Sequence, residues 1–321
     1  MPIKHEILDK FKELVPRMHA DSYKGQGGRI GIIGGSHEYS GSAYISSMSS
    51  LKAGADLSYI LTTREASSII KTYSPDLIVL PILDDISYES KIAHWMKKFH
   101  SVIIGPGLGR TEEAMSYIRI GLKQAKSHDI PIVIDSDCLY LLADEISLIK
   151  GYKKCILTPN FKEFKRLYEK TFKDEEYNEV SIQVTLELKC EAVKKLAENL
   201  GHLTILKKGK IDIISDGKVV VYNEIQGSLK RCGGIGDLMT GLLSLFLNWC
   251  NSGMVGFFDQ IEDASSELEH PNIIAAYTAS IFTRHCSKMA FEKYHRSVIA
   301  ADILNEISEA FYEMFDKKFL I

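Results

Sequence analysis

Residues 101–135 read SVIIGPGLGRTEEAMSYIRIGLKQAKSHDIPIVID. Ser101 to Pro106 is a short apolar, β-branched run, Glu112 to Lys126 has amphipathic helical spacing, and Pro131 to Asp135 is a second short run. That order predicts a strand, a crossover helix and a second strand lying parallel to the first. The alternation extends both ways from here. Arg29 to Gly34, Leu57 to Thr63, Leu77 to Leu83, Lys154 to Pro159 and His202 to Lys207 read as strands, while Ser40 to Gly54 and Leu186 to Leu200 read as helices. The pattern predicts an α/β fold with a mainly parallel central sheet covered by helices on both faces. Such sheets take ligands at the carboxyl ends of their strands, so chemistry is sought in the residues just after each one.

Past Lys208 the pattern changes. Two alternating runs within Lys210 to Asn223 flank Asp216-Gly217, which predicts a hairpin, and the remainder reads as helical. Ile3, Ile7, Leu8, Phe11, Leu14 and Val15 predict a helix over 3–15. Polar stretches near 173–185 and 251–271 are expected to be surface insertions in one domain spanning 1–321, with no internal repeat.

The 321 residues, 45% hydrophobic and 25% charged, exclude a disordered or collagen-like chain. A net charge of −3 gives no field that would draw nucleic acid or anionic membrane, and it fits a cytoplasmic enzyme. The six cysteines are scattered without a C-x-x-C pair, which reads as reduced thiols and gives no zinc cage. Leu238 to Phe258 carries no charge and has membrane length, yet its threonine, serines, asparagines and glycines favour a buried helix plus loop.

The segment richest in chemistry is Gly227-Ser-Leu-Lys-Arg-Cys-Gly-Gly-Ile-Gly-Asp237, directly before that uncharged run. Glycines at 233, 234 and 236 let free backbone N–H groups close around an anion at a helix start. Asp237 then either orients or deprotonates a hydroxyl that attacks a phosphoryl group, or merely caps the helix behind a tight turn. Lys230 and Arg231 read either as neutralising a polyphosphate or as solvated surface charges. Gly105-Pro-Gly-Leu-Gly-Arg110 follows a strand but lacks the Gly-Lys-Ser/Thr ending of a P-loop. Asn160 and Glu163 form an N-x-x-E pair, readable as a capping box or as a pair ordering water around magnesium and phosphates. Asp135-Ser-Asp137 ends another strand, and Lys207-Lys208-Gly209 places a cation near a nucleotide.

Tyr23-Lys24-Gly25, Gly34-Gly35-Ser36, Gly105-Pro-Gly-Leu-Gly109, Asp135-x-Asp137, Thr158-Pro-Asn-x-x-Glu163, Lys208-Gly209 and Arg231-Cys-Gly-Gly-x-Gly-Asp237 occur together and in this order. From Lys24 onward the chain resembles the ATP-dependent NAD(P)H-hydrate dehydratases of eukaryotic type, within the ribokinase-like superfamily. The resemblance implies a ribokinase-like three-layer αβα sandwich of the carbohydrate-kinase type. It implies a hydro-lyase that repairs the S epimer of hydrated NADH and NADPH. ATP phosphorylates the hydrate's hydroxyl, the ring nitrogen expels phosphate, and loss of a ring proton restores the dihydronicotinamide. Asp237 would be the base, with the backbone of Gly234, Ile235 and Gly236 as anion hole. Substrate contacts would fall on Gly107, Asn160, Phe161, Lys162, Glu163, Phe164, Lys165 and Arg166. ATP contacts would fall on Lys208, Gly209, Lys210, Ile211 and Asp212, and on Gly227, Ser228, Leu229, Lys230, Arg231, Cys232 and Gly233 through Gly236. No side chain would bind metal directly; Mg2+ would be held through water near Asn160 and Glu163. An NAD(P)H-hydrate epimerase is implied as metabolic partner, and a homo-oligomer accords with the family.

The sequence departs from the family pattern at three places. Tyr23 stands where His is common, Gly41-Ser42-Ala43 replaces Gly-Ala-Pro, and Asp135-Ser-Asp-Cys138 replaces Asp-Ala-Asp-Gly. Two other functions fit the motifs less fully. A ribokinase-like kinase of a vitamin precursor or sugar would release a stable phosphorylated product, and a non-catalytic nucleotide-binding module would need no carboxylate beside the anion turn.

Overall fold

The computed structural model describes residues 2–173, 175–179, 184–258 and 270–317. Its strands are β1 (Arg29–Ile33), β2 (Leu57–Thr62), β3 (Ile78–Pro81), β4 (Ser101–Ile104), β5 (Ile132–Ile134), β6 (Cys155–Leu157), β7 (Thr204–Lys207), β8 (Asp212–Ser215) and β9 (Val220–Asn223). They form one nine-stranded sheet in the order β3-β2-β1-β4-β5-β6-β7-β8-β9. β1 to β7 are parallel, and β8 and β9 are added antiparallel at one edge. Pro81 stands in β3, the other edge, where its missing N–H breaks no ladder.

Both faces of the sheet are buried because successive strand residues turn to opposite sides and both sides are apolar. Ile32, Ile60, Ile103, Val133, Ile156, Leu206 and Ile214 enter one core, while Ile33, Leu61, Ile104, Ile134, Leu157, Ile205 and Ile213 enter the other. The first core is closed by α1 (Pro2–Leu14), α2 (Ser40–Lys52), α3 (Arg64–Ile70), α9 (Ile235–Phe258), α10 (Pro271–Tyr294) and α11 (Ala300–Phe311). The second is closed by α4 (Tyr88–Met96), α5 (Glu112–Ser127), α6 (Asp137–Leu142), α7 (Phe161–Thr171) and α8 (Leu186–Asn199). This is the three-layer αβα sandwich that the sequence implies.

The uncharged run is the body of α9, which lies against β4 and β5 and is flanked by α2 and α10. Charges are absent because nearly every face of α9 meets protein, and among the described residues no helix is long and apolar enough to cross a membrane. Small residues let α2 come close: a Cβ on Gly241 would stand 2.0 Å from both the Ser46 carbonyl and the Ser49 hydroxyl. The expected hairpin joins β8 to β9, with Asp216 Oδ1 accepting from the backbone of Lys218 and Val219 at 2.9 Å each.

Two expectations about insertions need correction. Residues 251–258 are not an insertion but the last turns of α9, whereas 259–269 lie outside the described residues. Within 173–185, Tyr177 is buried and packs on Phe161, Phe164 and Tyr168, so that part of the stretch belongs to the core. The N-terminal helix runs from Pro2 to Leu14, with Phe11 buried against Phe246 and Phe315. All six cysteines are free.

Candidate active site

The carboxyl ends of β5, β6 and β7 bring Asp135, Thr158 and Lys208 together. The Lys208 ammonium donates to Asp135 Oδ1 at 2.7 Å, and the Thr158 hydroxyl stands 2.9 Å from the same oxygen. The Lys208 backbone N–H is fixed by the Pro159 carbonyl at 2.8 Å. Beside them the chain leaves β4 at Gly105, whose φ is +123° and whose Cβ would stand 2.0 Å from the Asp135 carbonyl oxygen. Only glycine allows that backbone path and that approach.

The glycine-rich turn before α9 faces this cluster. Gly234 has φ +91°, and α9 starts at Ile235, so Gly236 and Asp237 lie in its first turn. A Cβ on Gly236 would stand 3.4 Å from the Lys208 ammonium. The first N–H groups of a helix have no acceptor behind them, so they present a positive edge next to a lysine. The structure therefore brings Lys208 beside the glycine turn and the Asp237 helix start, which are far from it in sequence.

Burial is the main reason why Asp237 is pushed up to about 6; Asp135 adds to the effect, while Ser42 and Lys208 oppose it. Burial also raises Glu163, against the pull of Lys208. Lys208 experiences burial that would lower it, but Asp135, Glu163 and Asp237 outweigh this and hold it above its ordinary value. Three carboxylates therefore act on one ammonium. Among the described residues no group of three or more His, Cys, Asp or Glu is placed to hold a metal ion.

Asn160 caps α7 by a full capping box: its side chain accepts from Lys162 and Glu163 N–H at 2.9 and 3.1 Å, and Glu163 accepts from Asn160 N–H at 2.8 Å. Of the expected substrate contacts on α7, two side chains turn elsewhere. Phe164 is fully buried beneath Tyr177, and Lys165 pairs with Glu169 and Glu176. Phe161 is half-buried and Lys162 is exposed. Arg166 bonds Asp144 at 2.7 Å and stacks on Tyr140, whose ring also carries Arg110. Asp137 does not enter the carboxylate cluster; it accepts from Gly109 N–H at 2.9 Å and Arg110 Nε at 3.0 Å, fixing the loop that holds Gly107.

On the side expected to take nucleotide, the Asp212 side chain is engaged within the protein. Its buried carboxylate accepts from Gly209 N–H, Ser280 and Arg284 at 2.9, 2.7 and 2.9 Å, and Arg284 also reaches the Gly209 carbonyl. The side chain therefore shapes the loop through Lys210 and Ile211. Gly227 passes so close to Ser287 that a Cβ would stand 2.6 Å from its hydroxyl. Leu229 and Arg231 are exposed, while Lys230 and Cys232 are half-buried. Lys207 is the residue misplaced by sequence: it turns to the opposite face of the sheet from Lys208, is buried, and pairs with Glu179 beside Phe164 and Tyr177.

The departures from the family pattern are accommodated differently. Cys138 is fully buried in the first turn of α6, and it is Gly105 that yields space to it. Ser136 adopts φ 53°, a left-handed value that side chains rarely take. Tyr23 and Lys24 lie at the other end of the sheet, on a cavity of about 600 Å³ with Trp249 and Phe311, away from the cluster.

Known proteins agree with this architecture. A ribokinase-like superfamily protein of Enterococcus faecalis superposes with TM-score 0.69 at 19% identity, covering 96% of this chain and 94% of its own. The ADP/ATP-dependent NAD(P)H-hydrate dehydratase of Bacillus subtilis, co-crystallised with ATP/Mg2+, gives TM-score 0.68 at 20% identity, over 96% of this chain and 97% of that one. In sequence, the ATP-dependent (S)-NAD(P)H-hydrate dehydratase of Danio rerio is 40% identical across 97% of this chain and 89% of its own length. The profile of one family spans nearly the whole sandwich, residues 30–309. With a family profile over most of its length and relatives at this level of identity, the chain belongs to the NAD(P)H-hydrate dehydratase family.

Proposed function

We propose that this chain regenerates NADH and NADPH from the S epimers of their hydrates, consuming ATP and releasing ADP and phosphate, as an ATP-dependent hydro-lyase. The observation that carries the reading is Asp237: a buried carboxylate in the first turn of α9, beside the Gly234–Gly236 turn and Lys208. Relatives named for this activity match over nearly the whole chain.

The ATP phosphates rest against the backbone N–H groups at the start of α9, and Lys208 offsets their charge. Lys230 and Arg231 approach the same polyphosphate from the preceding loop. With a value near 6, Asp237 is ionised at neutral pH and basic enough to take the proton of the hydrate's hydroxyl as that oxygen attacks the terminal phosphoryl group. The C–O bond to the new phosphate then breaks as the ring-nitrogen lone pair moves in, and the adjacent ring carbon gives up a proton. In such a transfer, positioning and charge neutralisation exceed proton removal in importance.

The surplus of carboxylate over ammonium around Lys208 fits Mg2+ carried in with ATP. Asn160 and Glu163 would hold its water shell, and the ion would supply charge neutralisation on the phosphates. In this reading the nicotinamide hydrate would lie toward Gly107 and the start of α7, and the nucleotide toward Lys208–Asp212 and Gly227–Gly236. One continuous sheet supports a single working domain. Free cysteines and a small net charge support a reducing, cytoplasmic setting. Because one epimer alone is consumed, a hydrate epimerase is the expected metabolic partner.

The test is Asp237→Asn, which keeps the shape of the side chain and removes its basicity. Turnover of the hydrate with ATP is expected to disappear while far-ultraviolet circular dichroism is unchanged. Near-normal turnover would overturn the assignment.

A further inference from the structure

Ser280, Arg284 and Ser287 share one face of α10, because their spacing in sequence matches successive turns of a helix. That face is bonded to two loops, one joining β7 to β8 and the other joining β9 to α9. Arg284 is the centre of the contact. Its Nε donates to Asp212 Oδ2 at 2.9 Å and its Nη2 to the Gly209 carbonyl at 3.0 Å, both at the first loop. Its Nη1 donates to the Ile225 carbonyl at 2.9 Å, in the second. One guanidinium therefore spans both loops.

The serines extend this clamp in each direction along the helix. The Ser280 hydroxyl donates to Asp212 Oδ2 at 2.7 Å and accepts from the Asn223 side-chain amide at 2.9 Å, at the end of β9. Ser287 accepts from the Ser228 N–H at 3.1 Å. Ser228 in turn holds Lys230, accepting from its N–H at 3.1 Å and donating to its carbonyl at 2.8 Å. The first loop is closed on itself as well, since Asp212 Oδ1 accepts from the Gly209 N–H at 2.9 Å.

We propose that Arg284 is a positioning residue for ATP, which sets the spacing of the two loops on the nucleotide side and acts through them. The inference rests on the placement of nucleotide toward Lys208–Asp212 and Gly227–Gly236. Arginine suits the task because its planar fork of N–H groups addresses one carboxylate and two carbonyls in different directions at once. A lysine ammonium could pair with Asp212 but could not reach both loops in this way. The pair is largely withdrawn from water, with 8% of the Asp212 side chain and 16% of the Arg284 side chain exposed. Removing the charge outright would leave Asp212 buried and unpaired, so the decisive variant keeps it.

The experiment compares Arg284→Lys, Ser287→Ala and Arg231→Ala with the parent chain. It measures the KM for ATP at saturating hydrate, the KM for the hydrate at saturating ATP, kcat and thermal unfolding. For Arg284→Lys the KM for ATP is expected to rise about tenfold, while kcat, the KM for the hydrate and the melting temperature stay close to those of the parent. Ser287→Ala, which releases the Ser228 N–H, should raise the KM for ATP by about threefold. An unchanged KM for ATP in both variants, or a fall in kcat and melting temperature with no change in that KM, would overturn the inference. A raised KM for ATP in Arg231→Ala would then leave the placement of the nucleotide standing. A KM for ATP unmoved in all three variants would remove the placement as well.

Discussion

At Asp237 chemistry and stability oppose each other. Burial raises its carboxyl to about 6, so the folded chain holds a proton there that the unfolded chain has already released. The stability associated with that proton is present below the ordinary carboxylate range and is lost as pH rises through about 6. Asp237→Asn should therefore be more stable than the parent by about 1–3 kcal/mol at roughly pH 8, and the difference should close near pH 4. Denaturant unfolding at both pH values checks this, alongside the loss of turnover. Lys208, also held above its ordinary value, has a dependence of the same sign, lost only as pH rises past the ordinary lysine range; Lys208→Met leaves Asp135 without its cation and the glycine turn without its neighbour. Its kcat should fall by about 100-fold or more, measured with saturating ATP. Asp237 was legible because turn, helix start and carboxylate are adjacent in sequence. Thr158, Lys208 and Arg284 have partners far along the chain, such as the Lys208–Asp135 bond across 73 positions, and no local pattern announces them.

Among the elements, α2 and α9 position Asp237, as β5, β6 and β7 position Asp135, Thr158 and Lys208. The close approach of α2 and α9 sets the height of the α9 first turn over the sheet, and Gly241 is the contact that permits it. Gly241→Ala should destabilise the chain by about 1–3 kcal/mol in urea unfolding. It should also lower kcat, because the Ser46 bond to the Asp237 carbonyl is strained by the same displacement. Strand and helix order was legible from periodicity, since each strand is a short apolar run followed by an amphipathic segment. Two side chains on these elements were misread although the signal was available. Strand alternation puts Lys207 and Lys208 on opposite faces, and the spacing of Phe164, Leu167 and Tyr168 marks the buried side of α7. Asn251 to Phe258 read as an insertion because glycine and asparagine lower helix propensity, yet α9 continues through them to Phe258.

Across the whole molecule, the weak net charge conceals a steep local pattern. Lysine and carboxylates are gathered at the carboxyl edge of the sheet, and the glycine turns leave the backbone open there. In the proposed function, that edge is where ATP would be spent on one poor leaving group. The overall architecture and this edge were both legible from the order of motifs; the pairings within the cluster belong to the folded chain alone. The central claim is tested most directly by presenting the S hydrate of NADH to the purified chain with ATP, with ADP or with no nucleotide. Recovery of dihydronicotinamide absorbance and released phosphate are followed together. With ATP the two should rise in equal amounts, and with ADP or no nucleotide neither should rise. ATP consumed without recovery of the dihydronicotinamide, or recovery that needs no ATP, would contradict the account.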